Sequence, residues 1–231
     1  MIKYYGTPIT PNRVLKEFMT GRNTLVSFAH PQDIYDCLDI CKNVIIDNGA
    51  FSFWTKGKKV EWEEFYNFLD FFQEREFYFI PDVIDGTESE NDALLKDAPY
   101  DDGVPIWHIA ESFERLERLA SDYDFIAFGS SGEYSTLGTK EWHMRMDEAM
   151  RIVCDDNGVP KVKVHMLRCL DPLIFTKYPF YSGDSTSFAR NHSRDGAINI
   201  LNRIEKYNSP KKYTFKKYYK TKSLFDFNGG Q

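Results

Sequence analysis

Apolar residues follow two alternating patterns along the chain. Short apolar runs occupy Leu25–Ala29, Val44–Asp47, Phe77–Asp82, Pro105–Ile109, Phe125–Gly129, Val162–Met166 and Phe180–Asp184, and these read as strands. Between them, apolar positions recur at spacings of three and four. Trp62, Phe65, Phe68, Leu69 and Phe72 share one helical face, and Phe113, Leu116, Leu119 and Ala120 share another. Pro31 sits early in the first helix, the one that follows Leu25–Ala29, and Thr87-Glu88-Ser89-Glu90 has the spacing of a capping box. Strands alternating with helices imply parallel β/α units. Seven such units favour a closed barrel over an open sheet, with an eighth strand near Ile2–Tyr5. The expected architecture is a single, minimally decorated (β/α)8 barrel of the TIM type over residues 1–208, since such barrels typically take about 250 residues. A C-terminal extension over residues 209–231 follows Ser209-Pro210.

Composition supports a sizeable core: 42% of the 231 residues are hydrophobic. Aromatic content is 16%, with 19 Phe and 14 Tyr, enough to leave rings spare for stacking on a flat ligand. The net charge of −6 argues against a protein that coats nucleic acid non-specifically. Lys206 to Lys222, however, carries no acidic residue and interleaves lysines with Tyr and Phe. That stretch is either a grip on phosphates and bases, through Lys211, Lys212, Lys216 and Lys217, or a solvated tail with one apolar side. No apolar run approaches the roughly 18 residues of a membrane helix, and no charged-then-apolar leader opens the chain at Met1-Ile2-Lys3-Tyr4-Tyr5-Gly6. The expectation is a soluble, cytoplasmic protein. Cys37, Cys41, Cys154 and Cys169 form no Cys-x-x-Cys pair. Cys37 and Cys41 lie one helical turn apart, a spacing that suits buried free thiols better than a shared metal.

The residues following each strand carry the chemistry. They are His30; Asp47-Asn48-Gly49; Asp82 and Asp85; His108 and Glu111; Ser130-Ser131-Gly132-Glu133; His165 and Arg168; and Asp184. Carboxylates at loop starts also cap helices, which accounts for some of them. In a TIM-type barrel the carboxyl ends of the strands build the active site, so these groups are expected to converge on one mouth.

Three segments resemble the tRNA-guanine transglycosylase superfamily, in the family's order and over roughly residues 25 to 191. Ile45-Ile46-Asp47-Asn48-Gly49-Ala50-Phe51 is similar to its Asp-Ser-Gly-Gly-Phe signature. Phe128-Gly129-Ser130-Ser131-Gly132-Glu133 resembles its strand-end loop closing on Gly-Glu. Gly183-Asp184-Ser185-Thr186-Ser187-Phe188-Ala189-Arg190-Asn191 is similar to its Asp-led segment running into Arg-Asn. The resemblance implies that Asp184 attacks the anomeric carbon of a nucleotide and holds the sugar covalently. It implies that Asp47 handles protons for the departing and incoming base. Asp82 resembles the base-recognising aspartate, with Asp85 as its competitor.

Other assignments rest on position. The backbone of Gly129 and Ser130 can meet an exocyclic oxygen of the base, since glycine permits close approach. His108 stands where the family has a glutamine-containing strand end and is either a base contact or a structural hydrogen-bonder. Arg190 and His192 are candidates for flanking phosphates. Arg168 is a third, unless it pairs with Glu111 or Glu133. Phe51 and Phe188 are candidates to stack on the base or to fill the core, and Phe53 and Trp54 to occupy the gap left by a flipped base.

The chain departs from the family in having no cysteine after Asp184, where the tRNA enzymes carry a structural zinc set. No metal and no cofactor are therefore expected. The trimmed form resembles the phage and bacterial relatives that act on DNA, exchanging guanine for a free 7-deazaguanine, with the target base single-stranded or flipped out. A DNA glycosylase that leaves an abasic site, an inactive barrel that binds nucleic acid, and a barrel enzyme for a phosphorylated metabolite are the alternatives. The last lacks the expected glycine-rich loop, because Asp184-Ser185-Thr186-Ser187 occupies that place.

Overall fold

A computed structural model of the protein describes residues 1–215; Lys216 and Lys217 lie outside the described residues. The chain runs β1 (Ile2–Gly6), α1 (Asn12–Met19), β2 (Asn23–Ser27), α2 (Ile34–Ile40), β3 (Asn43–Asp47), α3 (Ala50–Thr55), α4 (Trp62–Asp70), β4 (Phe77–Phe79), α5 (Glu88–Lys96), β5 (Gly103–Val104) and β6 (Ile106–His108). It continues through α6 (Phe113–Asp122), β7 (Phe125–Gly129), α7 (Lys140–Val153), β8 (Lys163–Met166), α8 (Pro172–Phe175), β9 (Ser182–Ser185), α9 (Ser187–Asp195) and α10 (Ala197–Glu205).

The nine strands form one parallel sheet in the order β5-β4-β3-β2-β1-β9-β8-β7-β6. Its two edges, β5 and β6, are separated in sequence by Pro105 alone, so the sheet curls into a nearly closed barrel. The run expected over Pro105–Ile109 holds β6 alone, while β5 lies just before it, and the two short strands have different neighbours, β5 on β4 and β6 on β7. Proline has no N–H to offer a ladder. The Pro105 carbonyl still accepts from Ala127 N–H at 2.8 Å, and the Val104 carbonyl accepts from Ile80 N–H at 3.0 Å. Strand β4 is shorter than its apolar run for a related reason: Pro81 follows Ile80 and ends the pairing. The eighth expected strand, near Ile2–Tyr5, is β1, which lies between β2 and β9.

Alternation of side chains along each strand divides the core into layers. Tyr4, Leu25, Ile45, Phe77, Phe79, Val104, Ile106 and Ala127 fill the barrel interior. Their strand neighbours Tyr5, Val26, Val44, Ile46 and Tyr78 face outward, where they meet Phe65 and Leu69 of α4. Trp107, Phe128 and Val164 do the same against Leu116 of α6 and Trp142 and Met146 of α7. Helix α5 starts at a reciprocal cap, with Glu90 N–H donating to Thr87 Oγ1 and Thr87 N–H to Glu90 Oε2. Pro31 opens a short 3-10 turn, Pro31–Asp33, that leads into α2.

The segment after α10 returns to the barrel. Tyr213 is buried, its ring parallel to that of Tyr178 at 6.0 Å and its hydroxyl donating to Asp147 at 2.7 Å. Tyr213 N–H donates to the Gly158 carbonyl in the α7–β8 connection, which lies at the amino ends of the strands. Lys211 and Lys212 flank this contact and are exposed. They therefore sit at the opposite end of the barrel from Asp47 and His108.

Candidate active site

Asp47 is the last residue of β3 and lies in register with Ser27 of β2. Gly49 N–H donates back to Asp47 Oδ2 at 3.1 Å, which orients the carboxylate. Gly49 has φ 81, and a Cβ there would fall 2.9 Å from the Ala29 backbone nitrogen, so the Asp-Asn-Gly turn needs its glycine. Burial raises the Asp47 pKa to about 7, and the charges of Asp184 and Asp82 push in the same direction. The Ser27 hydroxyl and the Gly49 amide pull the other way.

Asp82, just past β4, is buried and doubly held. Its Oδ1 accepts from Asn48 Nδ2 at 2.8 Å, and its Oδ2 accepts from His108 Nε2 at 2.9 Å. Asn48 also donates to the Ile80 carbonyl and accepts from Ala50 N–H, so it ties the end of β3 to the end of β4. Burial alone would lower the His108 pKa. The hydrogen bond and charge of Asp82, with the charge of Glu111, outweigh it and leave the pKa raised. His108 N–H donates to Glu111 Oε2, which also accepts from the buried Arg115 at 2.6 Å. A Cβ on Gly129 would lie 2.9 Å from His108 Nδ1, so glycine at the end of β7 makes room for the ring. His108 Nδ1 itself has no hydrogen-bond partner among the described residues.

Asp184, in β9, is buried and accepts two hydrogen bonds on one oxygen. His165 Nε2 donates to Oδ1 at 3.1 Å, and Arg168 N–H donates to the same atom at 2.9 Å. Arg168 holds φ 60, the one left-handed residue other than glycine among the described residues. That conformation turns its amide toward Asp184 while its guanidinium lies 4.1 Å from the centre of the Phe51 ring.

These groups surround one cavity of 390 Å³ at the carboxyl ends of the strands. Asp47, Asp82 and Asp184 line it together with His108, Gly129, Ser130, Phe51, Arg168 and Arg190. The Ser130 hydroxyl accepts from Trp142 Nε1 at 3.0 Å, which fixes its side chain. Of the two competing aspartates, Asp82 faces this cavity. Asp85 is exposed and lines a neighbouring cavity of 340 Å³ with Glu88 and Glu111.

The remaining assignments divide. Glu111 is taken by Arg115, and Arg168 packs on Phe51 instead. His192 does not line the cavity: its ring stacks on Phe188 and its Nδ1 donates to the Phe188 carbonyl at 3.2 Å. Phe188 is core, against Tyr5 and Phe18. Phe53 packs on Phe28, whereas Trp54 is exposed beside Phe51. Lys211 and Lys212 are not brought to the cavity.

Ser27 is a site residue that the pattern of strand ends did not single out, and Asn48 and His165 stand in that pattern without an assigned role. Asn48 directly follows Asp47, and Ser27 is marked only by strand register. The four cysteines are free, and among the described residues no group of three or more His, Cys, Asp or Glu side chains is arranged to hold a metal ion. No helix among them is long and apolar enough to cross a membrane.

Chemically, the site offers one carboxyl that changes protonation near neutrality, one carboxylate with a free oxygen, and a carboxylate–imidazole pair on the wall. No protein-family model, curated protein or solved structure matches the chain.

Proposed function

We propose that the chain is a (β/α)8 barrel enzyme, with β5 and β6 acting as one strand interrupted at Pro105. In this reading it cleaves the N-glycosidic bond of a nucleobase in DNA through a covalent Asp184–sugar intermediate, exchanging guanine for a 7-deazaguanine. The observation that carries the reading is the pairing of unlike carboxyls around one cavity. Asp47 has a pKa of about 7, while Asp184 is anchored through Oδ1 alone. Two acidic groups with separated roles are what glycosidic cleavage by double displacement requires.

In the first step Asp184 Oδ2 bonds to the anomeric carbon as the carbon–nitrogen bond breaks. The electron pair goes to the base nitrogen, which takes the proton of Asp47. In the second step the now ionised Asp47 removes a proton from the incoming base, whose nitrogen displaces Asp184. Asp82 retains lone pairs beyond those used by Asn48 and His108 and accepts from the N–H edge of a guanine-like ring. Gly129 permits close approach of the backbone to the base, and Phe51 offers a ring face under Arg168. Arg168 and Arg190 put positive charge on the wall of an acidic cavity, which suits a nucleotide flanked by phosphates. The base must leave its stack to enter, at a cost of about a few kcal/mol.

The test is mass spectrometry of DNA after incubation with wild type or Asp184→Ala, with and without free 7-deazaguanine. Exchange by wild type only, dependent on the added base, supports the transglycosylase. Base loss without it makes water the acceptor and the protein a DNA glycosylase. Unchanged DNA under every condition contradicts the reading.

A further inference from the structure

The buried imidazole of His165 stands behind Asp184, outside the cavity. His165 of β8 is in register with Ser182 of β9, and Ser182 and Asp184, two residues apart, share the inner face of that strand. The ring is wholly buried, with Phe79 edge-on at 4.9 Å and Tyr4 at 6.0 Å. Its Nδ1 lies 2.8 Å from Ser182 Oγ and its Nε2 lies 3.1 Å from Asp184 Oδ1. A carboxylate only accepts, so Nε2 carries the hydrogen, and with a single ring hydrogen Nδ1 is left to accept from the Ser182 hydroxyl. Ser182 thereby selects the tautomer that points an N–H at Asp184. Arg168 N–H supplies the second donor to the same oxygen. Among the described residues, neither donor reaches Oδ2.

We propose that His165, set by Ser182, is a positioning residue that clamps Oδ1 of Asp184 and so presents Oδ2 to the anomeric carbon. The inference rests on the covalent reading given above and adds to it which oxygen attacks and what aims it. His165 touches no substrate; it acts by holding the carboxylate plane. Displacing a reacting group by about 1 Å costs on the order of 100-fold in rate, while leaving substrate binding to other groups.

The test is rapid-quench measurement of adduct formation on a DNA oligonucleotide turned over by wild type, together with DNA affinity for each variant. His165→Phe keeps a ring against Phe79 and removes both hydrogen bonds. Adduct formation is expected to fall about 100-fold, with DNA affinity close to wild type. His165→Gln retains a donor for Oδ1 and is expected to recover much of the rate. Ser182→Ala leaves the imidazole but frees its tautomer and is expected to give an intermediate loss. If His165→Phe does not fold, that intermediate loss in Ser182→Ala carries the test.

Wild-type rates in folded His165→Phe or Ser182→Ala overturn the proposal while leaving the covalent reading intact. So does a folded His165→Gln that is no faster than a folded His165→Phe. Absence of any adduct in wild type, with Asp184→Ala still active, overturns both.

Discussion

His108 Nε2 lies 2.9 Å from Asp82 Oδ2, with both side chains buried in the wall of the cavity. The pair sets the protonation of the imidazole. Burial lowers the His108 pKa, and Asp82 is the main force raising it. Asp82→Asn is therefore expected to drop the His108 pKa below its ordinary value of about 6.5. Titration of the His108 ring by NMR reads this directly. A His108 pKa unchanged by Asp82→Asn would mean that the pair is not coupled.

Asp47 gives a pH signature of its own. With a pKa of about 7, its protonated form falls away through neutrality. In the proposed reaction adduct formation consumes the Asp47 proton, so it is expected to decline above about pH 7, and Asp47→Asn is expected to be slow with that limb abolished. Stability follows the same group with a definite sign. Between the ordinary carboxyl range and pH 7 the folded chain binds more protons than the unfolded one, so stability falls as pH rises through that window. Asp47→Asn should consequently melt higher than wild type at pH 8, with the gap closing toward pH 4. An equal Tm difference at both pH values would contradict the raised Asp47 pKa.

Arg115 is fully buried and binds Glu111, Asp92 and the Ile106 carbonyl. Removing one partner of such a network leaves a buried charge uncompensated, at about 3–5 kcal/mol. Arg115→Ala is expected to lose stability of that order in urea unfolding. It is also expected to weaken the base site, because Glu111 holds the His108 backbone. A loss under about 1 kcal/mol would remove the network from the account.

Arg190 and the tail lysines separate by the end of the barrel they occupy. Arg190 lines the cavity, while Lys211 and Lys212 flank the Tyr213 contact at the far end. Arg190→Ala is expected to weaken DNA binding and reduce its salt slope by about 1. Lys211→Ala with Lys212→Ala is expected to leave both unchanged. The reverse result would move the DNA path to the other end of the molecule.

Much of the barrel is legible in the chain because inner and outer faces alternate along each strand, as Tyr4 and Tyr5 or Ile45 and Ile46 do. The break at Pro105 is not, since Val104 and Ile106 are equally apolar and only closure of the sheet gives them different neighbours. At the site, Asp47, Asp82, His108 and Asp184 are legible because each ends or nearly ends an apolar run. His165 is harder to assign. It ends a run in the same way, yet its side chain turns inward beneath Asp184, and no local pattern tells a mouth-facing histidine from a supporting one. His192 illustrates the converse: it follows Arg190 in sequence, but helical rotation carries it back onto Phe188.

The most direct measurement is capture of the Asp184 adduct. Wild type is quenched during turnover on DNA without an acceptor base, digested, and the cross-linked peptide sequenced by mass spectrometry. The account predicts a deoxyribose-linked peptide with the added mass on Asp184, absent from Asp184→Ala. Attachment to another residue, or turnover by Asp184→Ala at the wild-type rate, would contradict it.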